Sequence, residues 1–313
     1  MGFTLRKTAS IVSILAFLFS AGAYAADVSE DYCNHEFGKL RRTLQSQQLQ
    51  MTIVAFDGEG VNPFTMLRGM ANGKNYISWE HLSGEIRGYS MRNDEGYNYN
   101  LDRNLTGALT FHPSSIWDRI FSVSTPLKGY SCVIAGRTRA VGRKVSLIKL
   151  APQDGLRYIY VVSKDDETDL PVELMVVDPG NSSIVSKYTV IDSRQPEEFA
   201  LDRNDSLYDK YRPQKKGGEK RAGLTEFNIP DVFRITDSGR VQNKDNPDED
   251  YVFQKYSDGI ITFQVVKSRS DTNFIPIASQ GGILILKKQV NQNEYAVVGM
   301  IPRALAEHIL SKL

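Results

Sequence analysis

Only two cysteines and four histidines occur in the 313 residues of this chain. The cysteines, Cys33 and Cys132, form no C-x-x-C pair, which argues against a redox or zinc motif. His81, His112 and His308 have no second ligand at metal spacing. His35 lies two residues from Cys33, and residues two apart point to different faces of a helix, so no nucleophile–base pair forms there. There is no G-x-S-x-G elbow, no H-E-x-x-H, and no glycine-rich phosphate loop after a strand. These absences predict a protein that is not an enzyme and holds no cofactor or metal. Charge of one sign is missing as well: 38 basic side chains face 37 acidic ones, for a formal net charge of +1. Such a balance gives no bulk attraction for nucleic acid. After residue 25 no apolar run approaches the roughly 20 residues of a spanning helix, so no transmembrane segment is expected in the mature chain.

One apolar run does stand at the start. Arg6 and Lys7 precede Ile11 to Gly22, and Ala23-Tyr24-Ala25 follows with an A-x-A pattern. This is the layout of a secretory signal peptide cleaved between Ala25 and Ala26. No cysteine follows the apolar core directly, so a lipid anchor is not supported. Without Arg6 and Lys7 the charge balance moves from +1 to −1. In an oxidising compartment Cys33 and Cys132 read either as one disulfide or as two separate buried thiols.

Cys33, Phe37, Leu40 and Leu44 recur at helical spacing behind an Asp27/Glu30 capping box, predicting an amphipathic helix over about 28–46. Short runs rich in β-branched and aromatic residues then alternate with Asp-Gly, Asn-Gly and Ser-Gly turns up to Val190, indicating a large antiparallel sheet. Leu147–Leu150, Leu156–Val162, Val172–Val177 and Ile184–Ile191 read as successive meander strands. A short helix is expected around Ser114 to Phe121, with Ile116, Trp117, Ile120 and Phe121 on one side. Asp165 and Asp166 fall in a turn, where solvation would account for them.

Residues 192–224 are polar and rich in Gly and Lys, and read as a linker. From 225 a smaller unit begins, with strands over Tyr251–Tyr256, Ile260–Val266, Gly282–Lys287 and Glu294–Met300. Pro302 is placed at the first position of a closing helix. The predicted layout is a signal peptide (1–25), a large sheet domain (26–191), a linker (192–224) and a small α+β domain (225–313).

The sharpest local sequence is Gly136-Arg137-Thr138-Arg139-Ala140-Val141-Gly142-Arg143-Lys144. In an extended chain Arg137 and Arg139 share one face, and the flanking glycines permit bends or bulges. Arg137, Arg139 and Arg143 are therefore candidates for holding phosphate or carboxylate.

That segment, followed by Asp154-Gly155-Leu156-Arg157-Tyr158, Asp169-Leu170-Pro171-Val172-Glu173-Leu174 and Val177-Asp178, resembles the RseB/MucB family of periplasmic sigma-E regulators. Trp79 to Tyr99, Tyr256-Ser257-Asp258-Gly259 and Val298-Gly299-Met300-Ile301-Pro302 match the same family in the same order. Phe227 to Phe233 departs from the Trp- and Pro-rich segment with which the family usually opens its small domain. The resemblance implies an α+β fold, mostly antiparallel β: a large unclosed β-barrel like LolA and LolB, plus a small C-terminal α+β domain. It implies a periplasmic regulator that binds the periplasmic region of the anti-sigma factor RseA and shields it from the site-1 protease DegS. Lipopolysaccharide or misfolded outer-membrane protein would release it, and a homo-oligomer is compatible with that role. A half-open barrel also suggests an apolar cleft, with Trp79, Tyr89, Tyr97, Tyr99, Phe111, Ile116, Trp117 and Phe121 as candidate lining. A periplasmic lipid or lipoprotein carrier of the LolA/LolB type is the alternative.

Overall fold

The computed structural model describes residues 30–56, 60–71, 74–92, 95–100, 105–108, 115–197, 224–241, 251–269, 277–280 and 283–313. Residues 1–29, with Ala25, Ala26 and Asp27, lie outside the described residues, as does Phe111.

Helix α1 spans Glu30–Ser46 and buries Cys33, Phe37, Leu40 and Leu44, the four positions its periodicity selects. Strands β1 (Leu49–Phe56), β2 (Val61–Ala71), β3 (Lys74–His81), β4 (Arg87–Arg92), β5 (Glu95–Asn100) and β6 (Leu105–Ala108) follow as antiparallel neighbours. After α2 (Ser115–Phe121) comes a second meander. Its strands are β7 (Tyr130–Ala140), β8 (Arg143–Pro152), β9 (Ile159–Asp165), β10 (Pro171–Val177) and β11 (Ile184–Arg194). The two halves join where β1 pairs with β11, giving one eleven-stranded antiparallel sheet in the order β6-β5-β4-β3-β2-β1-β11-β10-β9-β8-β7. Its edge strands, β6 and β7, are not paired with each other, so the barrel is unclosed. Cys132 on β7 is bonded to Cys33 on α1, with Cα atoms 5.6 Å apart. The helix is thereby tied across the concave face. Lys164, only 4% exposed, ties it again by pairing with Glu36 of α1 at 2.8 Å and Asp169 at 2.5 Å.

The small unit is a six-stranded antiparallel sheet. Its strands are β12 (Arg234–Val241), β13 (Tyr251–Ser257), β14 (Thr262–Arg269), β15 (Ile277–Gln280), β16 (Ile283–Val290) and β17 (Asn293–Gly299), ordered β12-β13-β14-β17-β16-β15. Helix α3 (Arg303–Ile309) closes it, burying Leu305, Ala306 and Ile309. Pro302 caps this helix from just outside, with ψ 146°, instead of occupying its first turn. The edge strands β12 and β15 carry little strand signal in the sequence, since β12 is polar and β15 only four residues long.

Strand β11 runs on to Arg194, into the segment read as linker, and Leu224 and Phe227 are already buried. One continuous apolar core contains both Tyr188 and Val190 of the large sheet and Phe263, Val265 and Val297 of the small one. Asp165 and Asp166 are not simply solvated. Asp165 is 4% exposed and accepts hydrogen bonds from the amides of Glu167 (2.8 Å) and Thr168 (3.3 Å), while Asp166 accepts one from Ser146 Oγ at 2.7 Å.

Candidate functional site at the junction of the two sheets

Two Asp-Gly turns, 104 positions apart in sequence by their aspartates (154 and 258), build the junction. In the first, Asp154 Oδ1 accepts from the amides of Leu156 (2.8 Å) and Arg157 (3.2 Å), and Gly155 takes φ +66°. In the second, Asp258 Oδ1 accepts from Ile260 and Ile261, both at 2.9 Å, and Gly259 takes φ +101°. Each is an Asx-type turn in which the side chain replaces a strand partner. Consequently β9 and β14 begin at Ile159 and Thr262, two or three residues later than their apolar runs suggest. The residues so released face each other across the junction.

Arg157 is the centre. Its side chain is 1% exposed; Nη1 donates to Asp258 Oδ2 at 2.9 Å and Nε to Asp154 Oδ2 at 2.6 Å. Nη1 also reaches the carbonyl of Lys128 (3.2 Å), Nη2 that of Gly129 (2.7 Å), and the guanidinium lies 4.3 Å from the Tyr130 ring centroid. Burial alone would lower its pKa, but Tyr130 and the two carboxylates outweigh this and hold it above its ordinary value. A buried pair is favourable only when its remaining donors and acceptors are also met, and here they are. From α2, Arg119 Nη1 donates to the carbonyl of Ile260 (3.2 Å) and to Thr262 Oγ1 (2.6 Å). The small sheet is therefore clamped to the large one in a single orientation.

The candidate cleft residues sit beneath this clamp. Trp79, Tyr89, Trp117 and Phe121 are completely buried and Ile116 is 3% exposed. Trp79 stacks on Tyr89 (6.2 Å) and meets Trp117 edge-on (6.2 Å), and Trp117 meets Phe121 at 4.6 Å. They pack on one another and, through Phe121, on Phe37 of α1. At register level Tyr89 faces Asn98, whereas Tyr97 and Tyr99 pair with Ser90 and Gly88, one place out of the Trp79–Tyr89 row. A carboxylate stands amid these rings. Asp118 accepts hydrogen bonds from Trp79 Nε1 (3.1 Å) and from the Tyr89 hydroxyl. Burial pushes it up to about 6, against those hydrogen bonds and the charges of Arg68 and Arg119, which pull it down. Burial likewise lowers Arg68 to about 10.

Arg137 and Arg139 share a face of β7, opposite Ser146 and Lys144 of β8, and both are exposed. A bulge between Ile134 and Gly136 and a tight turn at Val141-Gly142 (φ +49° and +76°) bound this stretch. Arg143 does not join them. It pairs with Ala140, on the other face, and its guanidinium lies 3.6 Å from Asp165. The cation that accompanies Arg137 and Arg139 is Lys144.

A sequence profile for the MucB/RseB N-terminal domain matches residues 34–223. The chain belongs to the MucB/RseB family. The Sigma-E factor regulatory protein RseB of Salmonella typhimurium is 27% identical over 195 residues, 59% of this chain and 59% of that protein. The alignment thus spans about three fifths of that relative's length. RseB of Haemophilus influenzae is 21% identical over 314 residues, 96% of this chain and 95% of that protein. Among solved structures, the Pseudomonas aeruginosa MucA/MucB complex matches with a TM-score of 0.62 and 16% identity. It covers 89% of this chain and 97% of the other. Crystalline MucB alone matches with a TM-score of 0.54. The MucB/RseB fold therefore extends across both sheets, beyond the part that the profile covers.

Asp154–Tyr158 and Tyr256–Gly259 stand out in the sequence as family-like motifs, yet nothing in the sequence assigns a role to Arg157, Asp258 or Arg119. The signal available was a charged residue set in each apolar run. What each would face was not readable from its own segment.

Proposed function

We propose that this protein is a periplasmic negative regulator of the sigma-E envelope stress response. It binds the periplasmic region of an RseA- or MucA-type anti-sigma factor and shields it from the first cleavage by DegS. Lipopolysaccharide or misfolded outer-membrane protein ends the shielding. Family membership supports the regulatory class, and MucB structures in complex with MucA and its periplasmic region supply the partner type. The observation that carries the reading is the clamp at Arg157. It holds two sheets as one rigid surface, which suits a protein that acts by holding an extended partner and requires no catalytic group.

The small sheet and the adjoining face of the large one form the contact in this reading, with Arg137 and Arg139 on the concave rim available to anionic groups. Retention of the anti-sigma factor's purified periplasmic region by the full mature chain, together with slower DegS cleavage of that region, is the expected result. Failure of both retention and protection would reject the proposal. A carrier of the LolA/LolB type would instead be identified by stoichiometric lipid extracted from the purified protein.

A further inference from the structure

The covered face of the small sheet changes character along its length. Directly opposed residues in neighbouring strands share a face, as do residues two apart in one strand. Phe263 and Val265 on β14, with Val297 on β17, are fully buried. Two residues further along β14 stands Lys267, then Arg269. Across the ladder, Lys267 opposes Val252 of β13, and Val252 opposes Arg240 of β12. Arg269 opposes Asn293 of β17. One face therefore ends in three cations and an amide, where the apolar cover stops.

These side chains surround a cavity of about 310 Å³, lined by Arg240, Val252, Lys267, Arg269 and Asn293 among others. That volume lies at the lower end of the range for small-ligand clefts, about 300–1,000 Å³. The short Val252 separates Arg240 from Lys267, and strands two apart put their backbones roughly 10 Å from each other. Two long cationic side chains thus stand on either side of a small apolar one, and all three line the cavity. Lys267 is held in place: Nζ is 2.7 Å from Glu226 Oε1 and 5.4 Å from the Tyr295 ring centroid. Glu226 offsets only that one charge. Arg240 and Arg269 are exposed, and neither makes an ion pair with a described residue. Two arginines and a lysine lining one cavity match an oxyanion that accepts several hydrogen bonds at once.

We propose that Arg240, Lys267, Arg269 and Asn293 form a binding site for a phosphate-class anion, either free or carried on a lipid headgroup. The site lies at the β12-β13-β14 end of the same small sheet that the anti-sigma reading uses, but it is argued from its own cavity and charges, and its test uses no anti-sigma factor. Calorimetric titration of the full mature chain with inorganic phosphate, and sedimentation with vesicles containing phosphatidylglycerol, test it in parallel. The Arg240→Gln/Arg269→Gln variant is the control. Both arginines are exposed, so its thermal stability should match the wild type. Binding weaker by about tenfold or more in the variant, and falling with added salt in the wild type, is the expected result. Effects confined to inorganic phosphate would assign a free ion, and effects confined to vesicles a headgroup. An Arg240→Lys/Arg269→Lys variant should fall between the two, because it keeps the charge but loses the fork. Equal binding by wild type and the glutamine variant, no binding of either probe, or tighter binding of an Asp/Glu peptide than of phosphate would overturn the assignment.

Discussion

Removing the Asp258 carboxylate should uncouple the two sheets. In Asp258→Ala the Arg157 guanidinium remains 1% exposed and loses its 2.9 Å partner, while Asp154 at 2.6 Å continues to compensate it. Breaking a buried pair from one side costs about 3–5 kcal/mol, and the surviving Asp154 contact puts this case towards the lower end, about 3 kcal/mol. The amides of Ile260 and Ile261 also lose their acceptor, adding roughly 1–2 kcal/mol if water cannot reach them. Asp258→Asn keeps an oxygen for those amides and should cost about 2 kcal/mol less than Asp258→Ala. Arg157→Met combined with Asp258→Ala should recover part of the loss, giving a coupling energy of about 1–3 kcal/mol in a double-mutant cycle. Urea unfolding followed by tryptophan fluorescence is the assay, because Trp79 and Trp117 are both fully buried in the large sheet domain. Near-ultraviolet dichroism adds the small domain's tyrosines. In the wild type the two signals should coincide, and in Asp258→Ala they should separate. A loss under about 1 kcal/mol with coincident transitions would refute the argument that this pair joins the domains.

Gly129→Ala should destabilise by about 2 kcal/mol or more, since Gly129 has φ +72° and a new Cβ would lie 2.7 Å from Arg157 Nη2; thermal denaturation measures it. Asp118 binds its proton more tightly folded, with a value of about 6, than unfolded, at 3.8. Its contribution is therefore present in full below about pH 4 and is lost as pH rises through about 6, up to about 3 kcal/mol. The difference between wild type and Asp118→Asn in stability against pH isolates it, and a flat difference would refute it. The lowered carboxylates Glu36 and Asp169 act in the opposite sense, losing their contribution as pH falls through their folded values. Reduction of Cys33–Cys132, which closes a loop with a sequence separation of 99, should cost about 4–5 kcal/mol by loop entropy. Denaturation with and without reductant checks this, and equal midpoints would exclude it.

Much of the local structure was legible in the chain. The spacing of Cys33, Phe37, Leu40 and Leu44 specifies one buried face of a helix, because a 3.6-residue period admits no other arrangement of those side chains. Alternating runs between Asp-Gly and Gly-Asn turns specify a meander, because neighbouring strands with short turns pair with each other first. The order of motifs sufficed to indicate the family. Pairings between distant segments were decided by tertiary structure alone. Whether Cys33 met Cys132 depended on α1 lying across β7. Arg143 was separated from Arg137 and Arg139 by the tight turn at Val141-Gly142, which puts it opposite Ala140 and within reach of Asp165. Arg157 and Asp258 each look like an ordinary solvated charge beside a turn. Their meaning arises only when the two sheets pack, because a charge acquires its partner, its burial and its energetic weight from residues more than 100 positions away.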